Sequence, residues 1–270
     1  MKLHWQMVGI VDLGFDNMVK ALREIKAIGY DGVEFAGFHG WKAPELRKAL
    51  DDAGLVCVGN HFTTPELKEG MEATLETALT LGMPALGGKT GVDNDDYSPE
   101  GLRATYAGIQ RICEDCERAG LYYYVHSSTN LFDRLPDGTF VMDAVMDNVP
   151  GLHAQIDTIW TLLCAGDPAT YIRKFAGRET NIHYKDVFAE TLALQADTYT
   201  RCRYAEKHDC VAGDGEQDFN AIYDACVHAG IDNVIIEQMG KDDYATSMDI
   251  ARRAYENMRR MIGERERTRS

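Results

Sequence analysis

Short apolar runs alternate with longer amphipathic stretches along almost the whole chain, and no other feature limits the fold as much. Residues 3–11 read as a strand. Residues 17–28 follow with Met18, Ala21, Leu22, Ile25 and Ile28 on one side, the spacing of a helix face. Gly29-Tyr30-Asp31-Gly32 stops that helix, and residues 33–35 begin the next strand. The cycle repeats with helices expected at 44–53, 65–81, 98–119, 143–148, 167–176, 219–229 and 244–262. The strands expected between them are 55–62, 85–89, 121–126, 152–157, 180–183 and 234–237. Eight strand–helix units imply a parallel sheet with right-handed crossovers. At this chain length they match a (β/α)8 TIM barrel, an α/β fold, as a single domain over residues 1–270. A doubly wound sheet would want a Gly-rich phosphate turn after the first strand, and Val11-Asp12-Leu13-Gly14-Phe15 does not supply one. Gly87-Gly88-Lys89-Thr90 lacks the spacing of a P-loop. Residues 186–218 form the longest stretch without a strand–helix unit, and a loop of that size on a barrel reads as functional or as a lid, with a short helix within 191–203. Residues 263–270 read as a frayed tail.

Charge and cysteine usage narrow the partners. With 28 Lys+Arg against 43 Asp+Glu the net charge is −15, which argues against nucleic acid and anionic membranes as partners. No apolar run is long enough to span a bilayer. The seven cysteines are scattered and odd in number, as expected of reduced cytoplasmic thiols. Cys113 and Cys116 form a C-x-x-C inside a helical pattern with no second pair to complete a zinc site.

A barrel carries its chemistry at the C-terminal ends of its strands. The expected strand ends deliver Glu34, His61, Lys89, His126, Asp157, His183 with Lys185, and Glu237. Three carboxylates, three imidazoles and two ammoniums converge there without paired cysteines. That is an oxygen and nitrogen donor set for one divalent metal ion: Mn, Mg, Co, Fe or Zn. Asp157 also reads as a helix N-cap, and Glu34 equally as a substrate contact or a structural ion pair. Trp160 is a candidate pocket wall.

Ile156-Asp157-Thr158-Ile159-Trp160, Ala165-Gly166-Asp167-Pro168, Ile182-His183-Tyr184-Lys185-Asp186 and Ile235-Ile236-Glu237-Gln238 resemble the xylose-isomerase-like superfamily, nearest its sugar phosphate isomerase/epimerase branch. Gly29 to Glu34 and Gly213 to Phe219 fit it too, so the resemblance runs from about Tyr30 to Gln238. It implies a TIM barrel with one divalent metal held by Glu, Asp, His and Glu, and Asp157, His183 and Glu237 match three of those positions. The fourth departs. Relatives carry His-x-His-x-x-Glu-Phe after the fifth strand, where this chain has His126-Ser127-Ser128-Thr129-Asn130-Leu131-Phe132. Either His126 fills the place, or water does, or metal binding is lost.

The resemblance implies an isomerase or epimerase acting on a sugar, keto-sugar or polyol through an enediolate-type intermediate. Glu237, Lys185 and His126 are the catalytic candidates, and Glu34, His61, Lys89 and Trp160 the substrate-binding ones. Asp157, His183, Glu237 and His126 are the metal ligands. A dehydratase or lyase, including one acting on oxidised glycosides, is the alternative, since the missing carboxylate suits a one-base elimination. A non-catalytic sugar-binding subunit is the third reading. A repair-type endonuclease of the same superfamily is disfavoured by the charge. Homo-oligomers are common among such barrels.

Overall fold

The computed structural model describes residues 1–10, 15–88, 96–239 and 243–269. Eight parallel strands close into a barrel in sequence order: β1 (Lys2–Gln6), β2 (Gly32–Phe35), β3 (Val56–Phe62), β4 (Ala85–Gly88), β5 (Tyr122–His126), β6 (Leu152–Asp157), β7 (Glu179–Tyr184) and β8 (Asn233–Ile236). Closure is made by β1 on β8, with Trp5 opposite Ile236. Helices Phe15–Ile28, Ala43–Ala53, Met71–Leu81, Pro99–Arg118, Pro168–Lys174 and Phe219–Ala229 lie between successive strands, as the amphipathic stretches predict. Gly54 (φ 75°) and Gly82 (φ 69°) end two of them in the left-handed conformation that a side chain disfavours.

The strand alternation separates two environments. Leu3, Trp5, Val33, Phe35, Ile156, Ile182 and Tyr184 belong to the buried apolar core. The alternate positions carry buried polar side chains: His4, Gln6, Glu34, His61, His126, Gln155, Asp157, Asn181 and His183. Tyr124 joins this second set, and glycines make room for it. A Cβ at Gly59 would fall 2.5 Å from the Tyr124 hydroxyl, and one at Gly87 2.5 Å from its Cζ.

Four boundaries differ from the sequence reading. The first strand stops at Gln6, whose side chain caps a 3-10 turn over Met7–Gly9. The helix expected over 65–81 is two, Thr64–Lys68 and Met71–Leu81. Thr63 and Glu66 close a capping box on the first, and Gly70, a poor helix former, starts the second. The 186–218 excursion holds helices Ala189–Ala193 and Thr198–Lys207 rather than one. The tail read as frayed is helical: the last helix runs Tyr244–Arg269, with Ile262 buried and Arg265 paired to Asp224 on the neighbouring helix. That contact gives the final turns a tertiary anchor that helical periodicity alone does not reveal. No described helix is long and apolar enough to cross a membrane. All seven cysteines are free thiols.

Candidate metal and acid–base site

Period-two alternation along β6 turns Gln155 and Asp157 to one side, and along β7 it does the same for Asn181, His183 and Lys185. Registry then sets Asp157 beside His183. Asp157 ends its strand and begins the helix Thr158–Cys164, as its N-cap reading allows, although no helical periodicity marks that segment. Its Oδ1 accepts from the backbone N–H of Ile159 (2.9 Å) and Trp160 (3.0 Å). The N-cap and ligand readings of Asp157 are therefore compatible, because the cap uses one oxygen only. Oδ2 is buried and has no hydrogen-bond partner.

Around that oxygen stand His126 Nε2 at 3.5 Å and Lys185 Nζ at 3.9 Å. His126 Nε2 lies 3.1 Å from His183 Nδ1 and 3.8 Å from Glu237 Oε2, and His183 Nδ1 lies 2.5 Å from Glu237 Oε2. One donor atom from each of His126, Asp157, His183 and Glu237 falls within 4.8 Å of all the others. These are the four candidate ligands expected from the sequence, His126 among them. Leu131 is fully buried in a 3-10 turn, Thr129–Phe132. Two imidazole nitrogens and two carboxylate oxygens close together, one of them a buried oxygen with no hydrogen bond among the described residues, fit a divalent cation.

Beneath this cluster lies Glu34, with no exposed surface. Its Oε2 is 2.6 Å from His183 Nε2 and accepts from Gln6 Nε2 at 2.5 Å. Its Oε1 accepts from the Tyr124 hydroxyl and Gln155 Nε2, both at 2.7 Å. Gln155 also donates to Asn181 Oδ1 (2.5 Å), and its own Oε1 meets His61 Nε2 at 2.9 Å. The His61 ring stacks on His183 with centroids 5.3 Å apart. Glu34, His61 and His183 form a second group of ligand-type atoms, but four partners already occupy the Glu34 oxygens. Gln6, Tyr124, Gln155 and Asn181 were not singled out from the sequence. The available signal was a polar residue two positions before a strand-end candidate, as with Gln155 before Asp157.

The electrostatics follow from burial against charge. Burial alone would raise the Glu34 carboxyl, but His183 and His61 hold it well below the usual range. Burial would likewise lower His183, yet the carboxylates of Glu34 and Glu237 take it up to about 10. His61 is pushed down to about 4 by burial. For Glu237, Lys185 and His183 outweigh burial and keep the carboxyl far below its ordinary value. Lys185 is held above its ordinary value because Glu237, 3.3 Å from Nζ through Oε1, and Asp157 outweigh its burial. Its ammonium also lies 5.0 Å from the centre of the Trp160 ring. Of the residues expected at the site, only Lys89 lies outside the described residues.

Behind Lys185, the buried Asp186 carboxylate accepts from the backbone N–H of Val187, Gly213, Gly215 and Gln217 at 2.9–3.0 Å. This gathers the end of the 186–218 excursion against β7.

The chain belongs to the xylose isomerase-like TIM barrel family, which it matches over residues 22–261. It is 24% identical over 252 residues to the inosose dehydratase of Salmonella agona, covering 81% of this chain and 80% of that protein. Among solved structures it resembles a sugar phosphate isomerase/epimerase from Parabacteroides distasonis (TM-score 0.77, 17% identity, 94% of this chain and 92% of that one). It also resembles the D-allulose 3-epimerase of Methylomonas sp. in complex with D-allulose (TM-score 0.72, 15% identity, 96% of each). At those identities the structural likeness speaks for the fold.

Proposed function

We propose that this chain is a metal-dependent enzyme that removes a proton from the carbon beside a carbonyl in a keto-sugar or polyol-like substrate. The observation that carries the reading is the convergence of donor atoms from His126, Asp157, His183 and Glu237, with Asp157 Oδ2 buried and making no hydrogen bond among the described residues. A divalent ion held by these four would supply Lewis acidity to a carbonyl and an adjacent hydroxyl. Glu237 is the base. Its Oε2 faces the imidazoles, while Oε1, on the Lys185 side, is the oxygen available to take a proton. Lys185 is the cation that steadies negative charge developing on a substrate oxygen. Trp160 and His61 wall the space, and Glu34 fixes the ring of His183 by accepting from its Nε2–H, so that Nδ1, once a bound ion displaced its proton, would be the ligand atom.

Return of the proton to a neighbouring carbon or to the other face completes an isomerisation or epimerisation. Elimination of a β-hydroxyl or β-glycosidic oxygen, giving a dehydratase or lyase, is the second reading, and one observation favours it. The apolar Leu131 is buried where the family resemblance implies a second carboxylate, which leaves Glu237, paired with Lys185, as the one carboxylate base. Inversion at one carbon calls for an acid–base group on each face, whereas one-base elimination or same-face isomerisation does not.

Metal analysis of protein purified without chelator, beside Asp157→Ala and His183→Ala, tests the centre. Near-stoichiometric metal in the parent and loss in both variants is the expected result. The loaded protein, incubated in D2O with keto-sugars and keto-polyols, then shows deuterium entering at the carbon beside the carbonyl. Net loss of water or of an alcohol marks elimination, and retention of all heavy atoms marks isomerisation. Absence of metal even after incubation with Mn2+ or Co2+ would end the enzymatic reading in favour of a sugar-binding or accessory role.

A further inference from the structure

Two of the seven thiols meet. Cys164 Sγ and Cys202 Sγ are 3.6 Å apart, although the residues are 38 positions apart in sequence. Cys164 is the last residue of Thr158–Cys164, the helix that Asp157 caps. Cys202 lies on Thr198–Lys207, the longer helix of the 186–218 excursion. Both sulfurs border a cavity of about 600 Å³ that Phe132, Arg134, Thr198 and Tyr199 also line, which gives a small oxidant a way in. Tyr199 is 73% exposed at its edge.

The pair also differs chemically from the other cysteines. Burial pushes Cys57, Cys113, Cys116 and Cys210 up to about 12. Cys164 and Cys202 instead share a hydrogen bond in which either sulfur can donate, and the Arg201 guanidinium favours the thiolate form of both. The thiolate is the form that reacts with peroxides and disulfides.

We propose that Cys164 and Cys202 are an oxidation site, at which a peroxide or a low-molecular-weight disulfide forms a reversible disulfide that clamps the excursion onto the Asp157-capped helix. With hydrogen peroxide, one thiolate attacks the O–O bond to give a sulfenic acid, with the departing oxygen leaving as water. The second thiol displaces the sulfenic oxygen as a further water, forming the S–S bond. Two thiols are oxidised by two electrons and one peroxide is reduced to two waters. The sulfurs must approach by about 1.5 Å to reach the bond length of a disulfide, which side-chain rotation with a small helix shift supplies. The bond closes a long loop, so it restricts the unfolded chain as well as the excursion. This site is independent of the metal reading, since its test reads the thiols themselves.

The experiment treats the reduced full-length protein with hydrogen peroxide or oxidised glutathione, followed by peptide mapping under non-reducing conditions. The expected product is one Cys164–Cys202 crosslinked peptide with the loss of two hydrogen masses, reversed by dithiothreitol. Oxidation raises the melting temperature by on the order of 5 °C and slows tryptic cleavage at Arg201 and Arg203. Cys164→Ser and Cys202→Ser show neither change with oxidant. Pairing of other cysteines, or sulfinic acid at one of the two without a crosslink, would overturn the site. A crosslink that leaves both melting and cleavage unmoved would overturn the clamp.

Discussion

Glu34 Oε2 lies 2.6 Å from His183 Nε2, at the opposite end of the imidazole from the atom that meets Glu237. His183 is thus held between a carboxylate buried inside the barrel and the donor cluster at its mouth. The inner carboxylate fixes both the rotation of the ring and the position of its proton. Glu34→Gln keeps the shape but removes the charge. Metal affinity measured by calorimetry is expected to fall about 10–100-fold, and melting to fall as well, because the new amide NH2 faces donors where the carboxylate accepted. Unaltered affinity would show that the contact serves packing alone.

In the proposed mechanism Lys185 acts on substrate rather than on the ion. In Lys185→Gln the metal content should remain that of the parent, while turnover in the deuterium-exchange assay drops about 100- to 1,000-fold. A variant that loses metal in proportion to activity would instead make Lys185 a structural counter-ion to Glu237 and Asp157.

A different carboxyl governs pH dependence away from the site. Both oxygens of Glu179, at the start of β7, are buried and have no hydrogen-bond partner, and burial pushes the group up to about 9 from an ordinary 4.5. The folded state therefore binds more protons than the unfolded state between those values. Stability contributed by this group falls as pH rises across that window, by up to about 1.4 kcal/mol per pH unit. Glu179→Gln should melt higher than the parent at alkaline pH and show a flatter melting curve against pH. Parallel curves for the two proteins would exclude the effect.

Gly215 carries no side chain because Asp186 and Val187 occupy the space: a Cβ there would overlap Asp186 Oδ1 and the Val187 carbonyl. Gly215→Ala is expected to cost about 1–3 kcal/mol in denaturant unfolding. It should also weaken the backbone contacts to Asp186, seen as faster amide exchange at Gly213 and Gln217. Gly108, whose Cβ would meet nothing, is the control and should accept Ala at no loss.

Much of the site could be read from the chain because strand geometry is periodic and local. A strand ending in Asp157, another ending near His183 and Lys185, and a third leading into Glu237 each present their residue at the same end of the barrel. The supporting set was less legible. Gln155 and Asn181 look like polar interruptions in strands until the barrel closes and brings Glu34 within reach. The pairing of Glu34 with His183 spans 149 residues. The helix after Asp157 was signalled only by the N-cap residue, because Thr158–Cys164 is short and buried and lacks the polar face that marks a helix in sequence. The helical tail escaped notice because its anchor, Asp224 on another helix, lies 41 positions away.

The sequence by itself determined the eightfold strand–helix cycle, the end of the barrel at which the ionisable residues gather, and the identity of the four candidate ligands. All three follow from patterns of period two and 3.6 and from residue chemistry. Only the tertiary structure decided that His126 comes within reach of Asp157, His183 and Glu237, that Glu34 lies beneath His183, and that Cys164 meets Cys202. Those relations depend on barrel closure and on how the 186–218 excursion packs. Both join residues far apart in the chain, through distances that no local periodicity encodes.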